Sequence, residues 1–144
     1  MNVDAILKEK GRRVITMRPN SPLATVIGRM KLEHIGAVIL SDDGETIDGI
    51  LSERDIVRGL ANHGGEVAEH SVTELMTRDV RSCGPDDTIA DLMAIMTTHR
   101  IRHLPVLEDG KLVGIVSIGD AVKYRLDEAK LEVDSLRDYV LAAR

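Results

Sequence analysis

The chain has 144 residues, a formal net charge of −5, 43% apolar residues and 30% charged ones, the ordinary balance of a soluble globular protein. That length fits one compact domain or two small units sharing a core, and the acidic balance argues against a general nucleic-acid surface, which needs clustered Lys and Arg. With no Trp, no Phe and only Tyr124 and Tyr139, the core must be Val, Ile, Leu, Met and Ala, with few rings to stack on a base. The lone Cys83 leaves no intramolecular disulfide and suits a reducing compartment. No apolar run approaches the ~20 residues that cross a bilayer, and the N-terminus has neither the basic start nor the apolar centre of a secretory signal. The expectation is a cytoplasmic protein without a membrane partner.

Taken in order, the chain repeats itself. At an offset of 66, Pro22 to Gly44 falls over Thr88 to Gly110. Leu23, Val26, Ile27 and Met30 fall over Ile89, Leu92, Met93 and Met96, the i, i+3, i+4, i+7 stripe of an amphipathic helix. After the turns Asp42-Asp43-Gly44 and Glu108-Asp109-Gly110 the offset drops to 65. Each repeat predicts a short strand (Val14 to Thr16; Val80 to Ser82), then a helix ending near His34 or His99. A strand follows (Ala37 to Leu40; His103 to Leu107), then an Asp-Gly-type hairpin turn and a second strand (Ile47 to Leu51; Leu112 to Val116) that runs into a second helix.

The fold class is therefore mixed α/β (α+β), with two pseudo-symmetric β-α-β-β-α units. One unit's sheet is too small to cover its own apolar face, and two packed through their small sheets bury a continuous core. The division is 1–66 for the first unit with its lead-in helix, 67–128 for the second, and 129–144 for a helical extension. Lead-in helices begin at Val3 and Val72, the first about three residues longer before its strand. Ala61 to His70 reads as the linker. Leu126, Ala129, Val133, Leu136, Val140 and Ala143 keep a seven-residue apolar repeat, either docked on the chain's own body or forming a self-association seam.

The chemistry concentrates in a doubled turn, Gly49-Ile50-Leu51-Ser52-Glu53-Arg54-Asp55 and Gly114-Ile115-Val116-Ser117-Ile118-Gly119-Asp120. A Ser followed three residues later by an acid resembles a capping box, and an acid in the first helical turn suits the dipole. Stability alone could explain one copy. Two copies, each preceded by Gly-apolar-apolar, point further, because neither helix needs that Gly for its cap. A helix start also attracts phosphate, and an ionised Asp accepts hydrogen bonds from both hydroxyls of a ribose. Gly119 would let backbone approach a ligand, and Arg54, at the matching place, could offer a positive charge to phosphate.

This repeated Gly-apolar-apolar-Ser-x-x-Asp pattern, together with Arg102-His103-Leu104-Pro105-Val106, resembles the cystathionine β-synthase-type (CBS) domain pair over about Val3 to Leu126. The resemblance implies a stand-alone Bateman module binding adenosine-type ligands (AMP, ADP, ATP, S-adenosylmethionine or NADH) in clefts between two units, commonly as a homodimer. It makes Asp55 and Asp120 the ribose-binding acids and Ser52 and Ser117 the motif hydroxyls. Thr16 and Ser82 match adenine-contacting positions, and Ile35 and Ile101 line the base. Arg102 and His103 match phosphate-reaching residues. Thr77 matches a base- or ribose-proximal position whose first-unit counterpart lies between Lys8 and Arg12. The first unit has Gly36-Ala37 in place of Arg102-His103, so two unequal sites are expected.

No His-x3-His or Cys/His cluster suggests a metal, and His34 and His99 suit helix ends. No nucleophile–base pair is evident in the sequence, so no enzyme and no catalytic cofactor are expected. The function classes that remain are an adenine-nucleotide sensor acting on its own dimer geometry or on an unknown protein partner, and a structural dimerisation module with vestigial clefts.

Overall fold

The computed structural model describes residues 1–143. The apolar stripes become α2 (Leu23–Glu33), burying Leu23, Val26 and Met30, and α5 (Ile89–His99), burying Ile89, Leu92 and Met96. Both helices stop alike. His34 and Arg100 take the left-handed conformation, with φ 55° and 53°. The amides of Ile35 and Ile101 then return to the carbonyls of Met30 and Met96, closing a Schellman-type end.

The chain forms two compact bodies. One, Arg13–Arg81 with Glu108–Val113, contains β1 (Thr16–Met17), α2, β2 (Ala37–Leu40) and β3 (Gly49–Ser52). It continues through α3 (Glu53–His63), a 3-10 segment (Gly64–Glu69) and α4 (Val72–Leu75). Its sheet runs β1-β2-β3, parallel and then antiparallel, with Thr16 opposite Ile39 and Ala37 opposite Ser52. Every residue of β2 is buried, which is why that strand reads as an unbroken apolar run. Val38, Leu40 and Leu51 meet Leu23 and Val26 of α2 and Val72 and Met76 in one core.

The other body, Met1–Arg12, Ser82–Leu107 and Gly114–Arg144, contains α1 (Val3–Lys10), α5, most of the hairpin β4 (His103–Glu108) and β5 (Lys111–Ser117), and α6 (Ile118–Ala142). Asn2 caps α1, and the amides of Val3 and Asp4 donate to the carbonyls of Asp87 and Pro85. Ile6 and Leu7 are fully buried. The bodies thus do not follow repeat order: the helix that opens the chain serves the second repeat, and α4 serves the first.

Three expectations need correction. The first strand is Thr16–Met17 rather than Val14 to Thr16. Val80 to Ser82 is not a strand. Pairing there is one bridge, Cys83 with Val106, in which the Cys83 amide and carbonyl meet Pro105 and Leu107; the residue that would have to donate next, Pro85, has no N–H. The segment read as a linker is structured: α3 runs to His63, Gly64 turns with φ 63°, and Val67 is buried. Val67 closes over Gly59, where a Cβ would lie 2.9 Å from Val67 and 2.5 Å from Leu75. The polar composition of this segment concealed its one anchoring residue.

The tail of α6 is settled differently from either turn. This helix has 25 residues, and from Lys130 to Ala143 every one is exposed. The seven-residue stripe is therefore not docked on its own body.

Cys83 is buried, and that burial, with a contribution from Asp87, pushes its thiol up to about 12. At about pH 8 the folded protein should alkylate with iodoacetamide roughly a thousandfold more slowly than the urea-unfolded chain, since the thiolate is the nucleophile. Mass spectrometry of timed aliquots measures this, and equal rates would contradict the buried position.

Candidate functional site

Each turn begins at a strand's last residue. Ser52 ends β3 and Ser117 ends β5, both extended, with φ −111° and −108°. From there Ser52 Oγ accepts from the Asp55 amide at 3.3 Å and Ser117 Oγ from the Asp120 amide at 3.2 Å. The acids reciprocate: the Ser52 amide donates to Asp55 Oδ2 at 2.8 Å and the Ser117 amide to Asp120 Oδ2 at 2.9 Å. Both are complete capping boxes. The first helical amides are held by the neighbouring strand entry, Glu53 N–H by the Gly36 carbonyl at 3.0 Å and Ile118 N–H by that of Arg102 at 2.8 Å. Capping and ligand binding do not exclude each other, because a carboxylate offers about four lone-pair positions and the box uses few of them.

The motif glycines have a structural cause. A Cβ on Gly49 would lie 2.7 Å from Met76 Sδ and 3.0 Å from the Thr77 carbonyl oxygen, and one on Gly114 would lie 2.7 Å from Leu7. They admit the lead-in segments, so the sequence argument that they signal a ligand loses its force. Gly119 differs: its nearest foreign atom to a Cβ would be Ser117 Oγ at 3.6 Å, and it is exposed.

The two acids are closed by different partners. Ile50 and Thr77 exchange backbone hydrogen bonds of 2.9 and 2.8 Å, and Thr77 Oγ1 donates to Asp55 Oδ1 at 3.1 Å. Ser52 Oγ adds a 3.1 Å bond to Oδ2, Arg58 stands 3.8 Å away, and Asp55 is only 6% exposed. In the other turn Lys10 Nζ donates to Asp120 Oδ2 at 2.7 Å and to the Ile115 carbonyl at 3.0 Å. One ammonium thereby does for residues 115 and 120 what Thr77's amide and hydroxyl do for 50 and 55. The Asp120 side chain remains 21% exposed. Burial is the strongest single influence on its carboxyl and pushes its pKa up. The Lys10 ammonium and the Ser117 amide outweigh it, and the net shift is downward.

The remaining predicted residues distribute as follows. Arg54 and Gly119 occupy matching, exposed places in the first turns of α3 and α6. Ile35 precedes Gly36, and Ile101 precedes Arg102, so each stands one residue from the carbonyl that holds its helix start. His103 begins β4 beside Arg102. Thr16 pairs with Ile39, which pairs with Ile50, placing it in the strand row that crosses the motif strand. Ser82 is exposed, next to the Cys83 bridge. Among the described residues no group of three or more His, Cys, Asp or Glu is placed to hold a metal ion, and no helix is long and apolar enough to cross a membrane.

Comparison with known proteins decides the family. The family model for the CBS domain matches twice, at residues 10–62 and 72–127. The chain belongs to the CBS-domain family. The crystal structure of the CBS-domain containing protein ATU1752 from Agrobacterium tumefaciens is 42% identical and superposes with a TM-score of 0.84 over 87% of this chain and 99% of that one. A 17.7 kDa protein of Acidianus ambivalens is 34% identical over 116 residues, 80% of this chain and 69% of its own. The CBS domain pair of protein MJ0100, solved in complex with 5′-methylthioadenosine and S-adenosyl-L-methionine, is 25% identical with a TM-score of 0.76, covering 90% and 98%.

Sequence reasoning missed one residue of this CBS pair, Lys10. Aligning the buried stripes of the lead-ins places Leu7 on Met76 and therefore Lys8 on Thr77. In the structure α1 has 8 residues and α4 only 4, and the longer helix carries Lys10 to the acid instead. The range Lys8 to Arg12 includes Lys10, and the fold shows that Lys10 is the member that meets the acid.

The two glycine types should separate on substitution. Gly114→Ala is expected to destabilise the protein by about 1–3 kcal/mol through overpacking against Leu7. Gly119→Ala should be neutral or stabilising by up to about 1 kcal/mol, as Ala replaces Gly in a helix. Urea denaturation of both variants makes the comparison; equal losses would mean that the Gly114 contact is not tight.

Proposed function

We propose that this CBS pair is a regulatory module, not a catalyst, that binds an adenosine-containing ligand at the Asp55 and Asp120 turns. The observation that carries the reading is the doubled turn itself: an acid fixed by its capping box, next to a helix start. MJ0100's complex with two adenosyl compounds supports adenosine as the common chemistry. In this reading Asp55 or Asp120 takes the ribose hydroxyls through lone pairs outside the box, and Arg54 or the Gly119 amide meets what lies beyond the ribose. AMP, ATP, NAD(H) and S-adenosylmethionine are the candidates. The closed Asp55 and the more open Asp120 support unequal sites.

Readout requires a second element, and α6 is the one available. Leu126, Val133, Leu136 and Val140 are exposed along one seven-residue stripe, Leu136 by 64%, and Leu141 extends that apolar face at its far end. The exposed stretch of α6 from Lys130 to Ala142 has the length at which an unpacked helix is marginal in water. With Leu126, Val133 and Val140 at one core position and Ala129 and Leu136 at the other, Glu132 and Arg137 fall where a parallel second copy would pair them as opposite charges. A homodimer seam through α6 fits both observations.

A thermal-shift series tests ligand binding. AMP, ATP, NADH, methylthioadenosine or S-adenosylmethionine should stabilise the protein by about 2.7 kcal/mol at a hundredfold excess over Kd, roughly 5–15 °C in Tm. Asp120→Asn should weaken the response, and the 2′-deoxy ligand should bind less well. A flat series across all five favours the structural module. For the seam, light scattering should give twice the chain mass for the wild type and a monomer for Leu136→Glu. A monomeric wild type, or a dimeric variant, removes α6 as the interface.

A further inference from the structure

Helix α6 carries its charges unevenly on the two sides of its apolar stripe. We propose that two copies of this chain join through α6 in parallel and in register, and that Lys130 keeps the join weak at the end nearest the Asp120 turn. The inference rests on the reading of α6 as a self-association seam.

Orientation follows from the residues that flank the stripe. With Val133 and Val140 at the first core position and Ala129 and Leu136 at the second, Lys123, Lys130 and Arg137 form the row just after the second. Arg125, Glu132 and Tyr139 form the row just before the first. In an antiparallel pair like rows meet, so Lys123, Lys130 and Arg137 face their own kind, cation against cation. In a parallel pair unlike rows meet, and Glu132 of each copy faces Arg137 of the other. The core agrees, because Val at the first position with Leu at the second favours two parallel strands. Val133, Leu136 and Val140 are 47%, 64% and 54% exposed, so the chain's own body does not cover them.

The same pairing marks a weak end. One heptad closer to the Ser117 cap, the residues that face each other are Arg125 and Lys130, two cations. Arg125 is partly neutralised along its own helix by Glu128 at 3.3 Å, which also takes the Met1 ammonium at 3.0 Å. Lys130 is exposed, and a like charge opposite it is repelled as strongly as an unlike one would be attracted. The seam therefore closes through Glu132 and Arg137 and is loose where α6 leaves the body. In the parallel arrangement both Asp120 turns lie at this loose end, where a change at either turn meets the least resistance from the seam.

Mild oxidation of the full chain carrying Val133→Cys or Val140→Cys tests the orientation, since the native Cys83 is buried. A parallel, in-register seam sets each of these positions against itself within the Cα spacing of about 4.4–6.8 Å that a disulfide spans. Each variant alone should give a linked dimer, with the bond located by mass spectrometry. An antiparallel seam lets at most one of the two positions link to itself, and that outcome overturns the parallel join. For Lys130, sedimentation equilibrium at low salt should give a dimer Kd about threefold tighter for Lys130→Gln and about tenfold tighter for Lys130→Glu, as two symmetric pairs of exposed charges change together. The gain should shrink at about 1 M salt, where the screening length falls to about 3 Å. A Kd that stays at the wild-type value or rises in both variants overturns the weak end. A wild type that is monomeric, or a dimer that Leu136→Glu leaves intact, removes the α6 seam itself, and this inference falls with it.

Discussion

One carboxylate oxygen holds each turn together. Asp55 Oδ2 and Asp120 Oδ2 accept the amide of the Ser three residues back, and that Ser returns a bond to the acid's own amide. A cap of this kind is worth about 1 kcal/mol to a helix, and here it also fixes the angle at which strand becomes helix. The same side chain is the candidate ligand acceptor. Stability and binding therefore share a group, and a substitution that deletes the carboxyl removes both, whereas Asn keeps an acceptor oxygen and with it much of the cap. Any acid serving a ribose from this position is pre-oriented by the fold before the ligand arrives, which lowers the ordering cost of binding.

Duplication gave two copies of the cap, and the lead-in helices made them different. In one body a four-residue helix ends in time for Thr77 to pair with Ile50 as a strand would. In the other, an eight-residue helix runs past that point and sends a side chain back to the same two acceptors. The backbone pairing was exchanged for an ammonium, and a neutral closure for a charged one. The consequence is electrostatic before it is structural: burial pushes the Asp120 carboxyl up, the Lys10 ammonium and the Ser117 amide bring its pKa down below the usual value, and Asp55 is closed among hydroxyls with little access to water.

The parts of this that local sequence could reveal are those set by periodicity and turn chemistry. The stripes at Leu23–Met30 and Ile89–Met96, the buried run Ala37–Leu40, the Asp109-Gly110 turn with both φ positive and the Ser-x-x-Asp caps all follow from residues within one helical turn or hairpin of each other. What sequence concealed depends on distant partners. Gly49 and Gly114 count in the sequence as part of a repeated ligand motif, whereas the structure sets Met76 and Leu7 against them. Val67 looked like part of a polar linker until its packing on Gly59 was visible. Lys10 lies 110 residues from Asp120, and the alignment of the lead-ins left a range from Lys8 to Arg12 because buried positions define register but not where a helix stops.

The asymmetry extends to how a bound ligand could be felt. The Asp55 turn starts an 11-residue helix that ends at Gly64 and folds back through a 3-10 segment onto its own core. The Asp120 turn starts a helix of 25 residues, roughly 37 Å long at 1.5 Å per residue, whose far half carries the exposed apolar stripe. A reorientation at the Ser117 cap would therefore displace the far end of α6 by the lever of its length, whereas the helix that starts at Ser52 folds back onto its own core. A ligand can shift an assembly only by binding its two states unequally. Under the proposed reading the turn closed by Lys10 is also the turn that begins the exposed helix, so the more open of the two acids and the helix that would report its ligand meet in the same first turn.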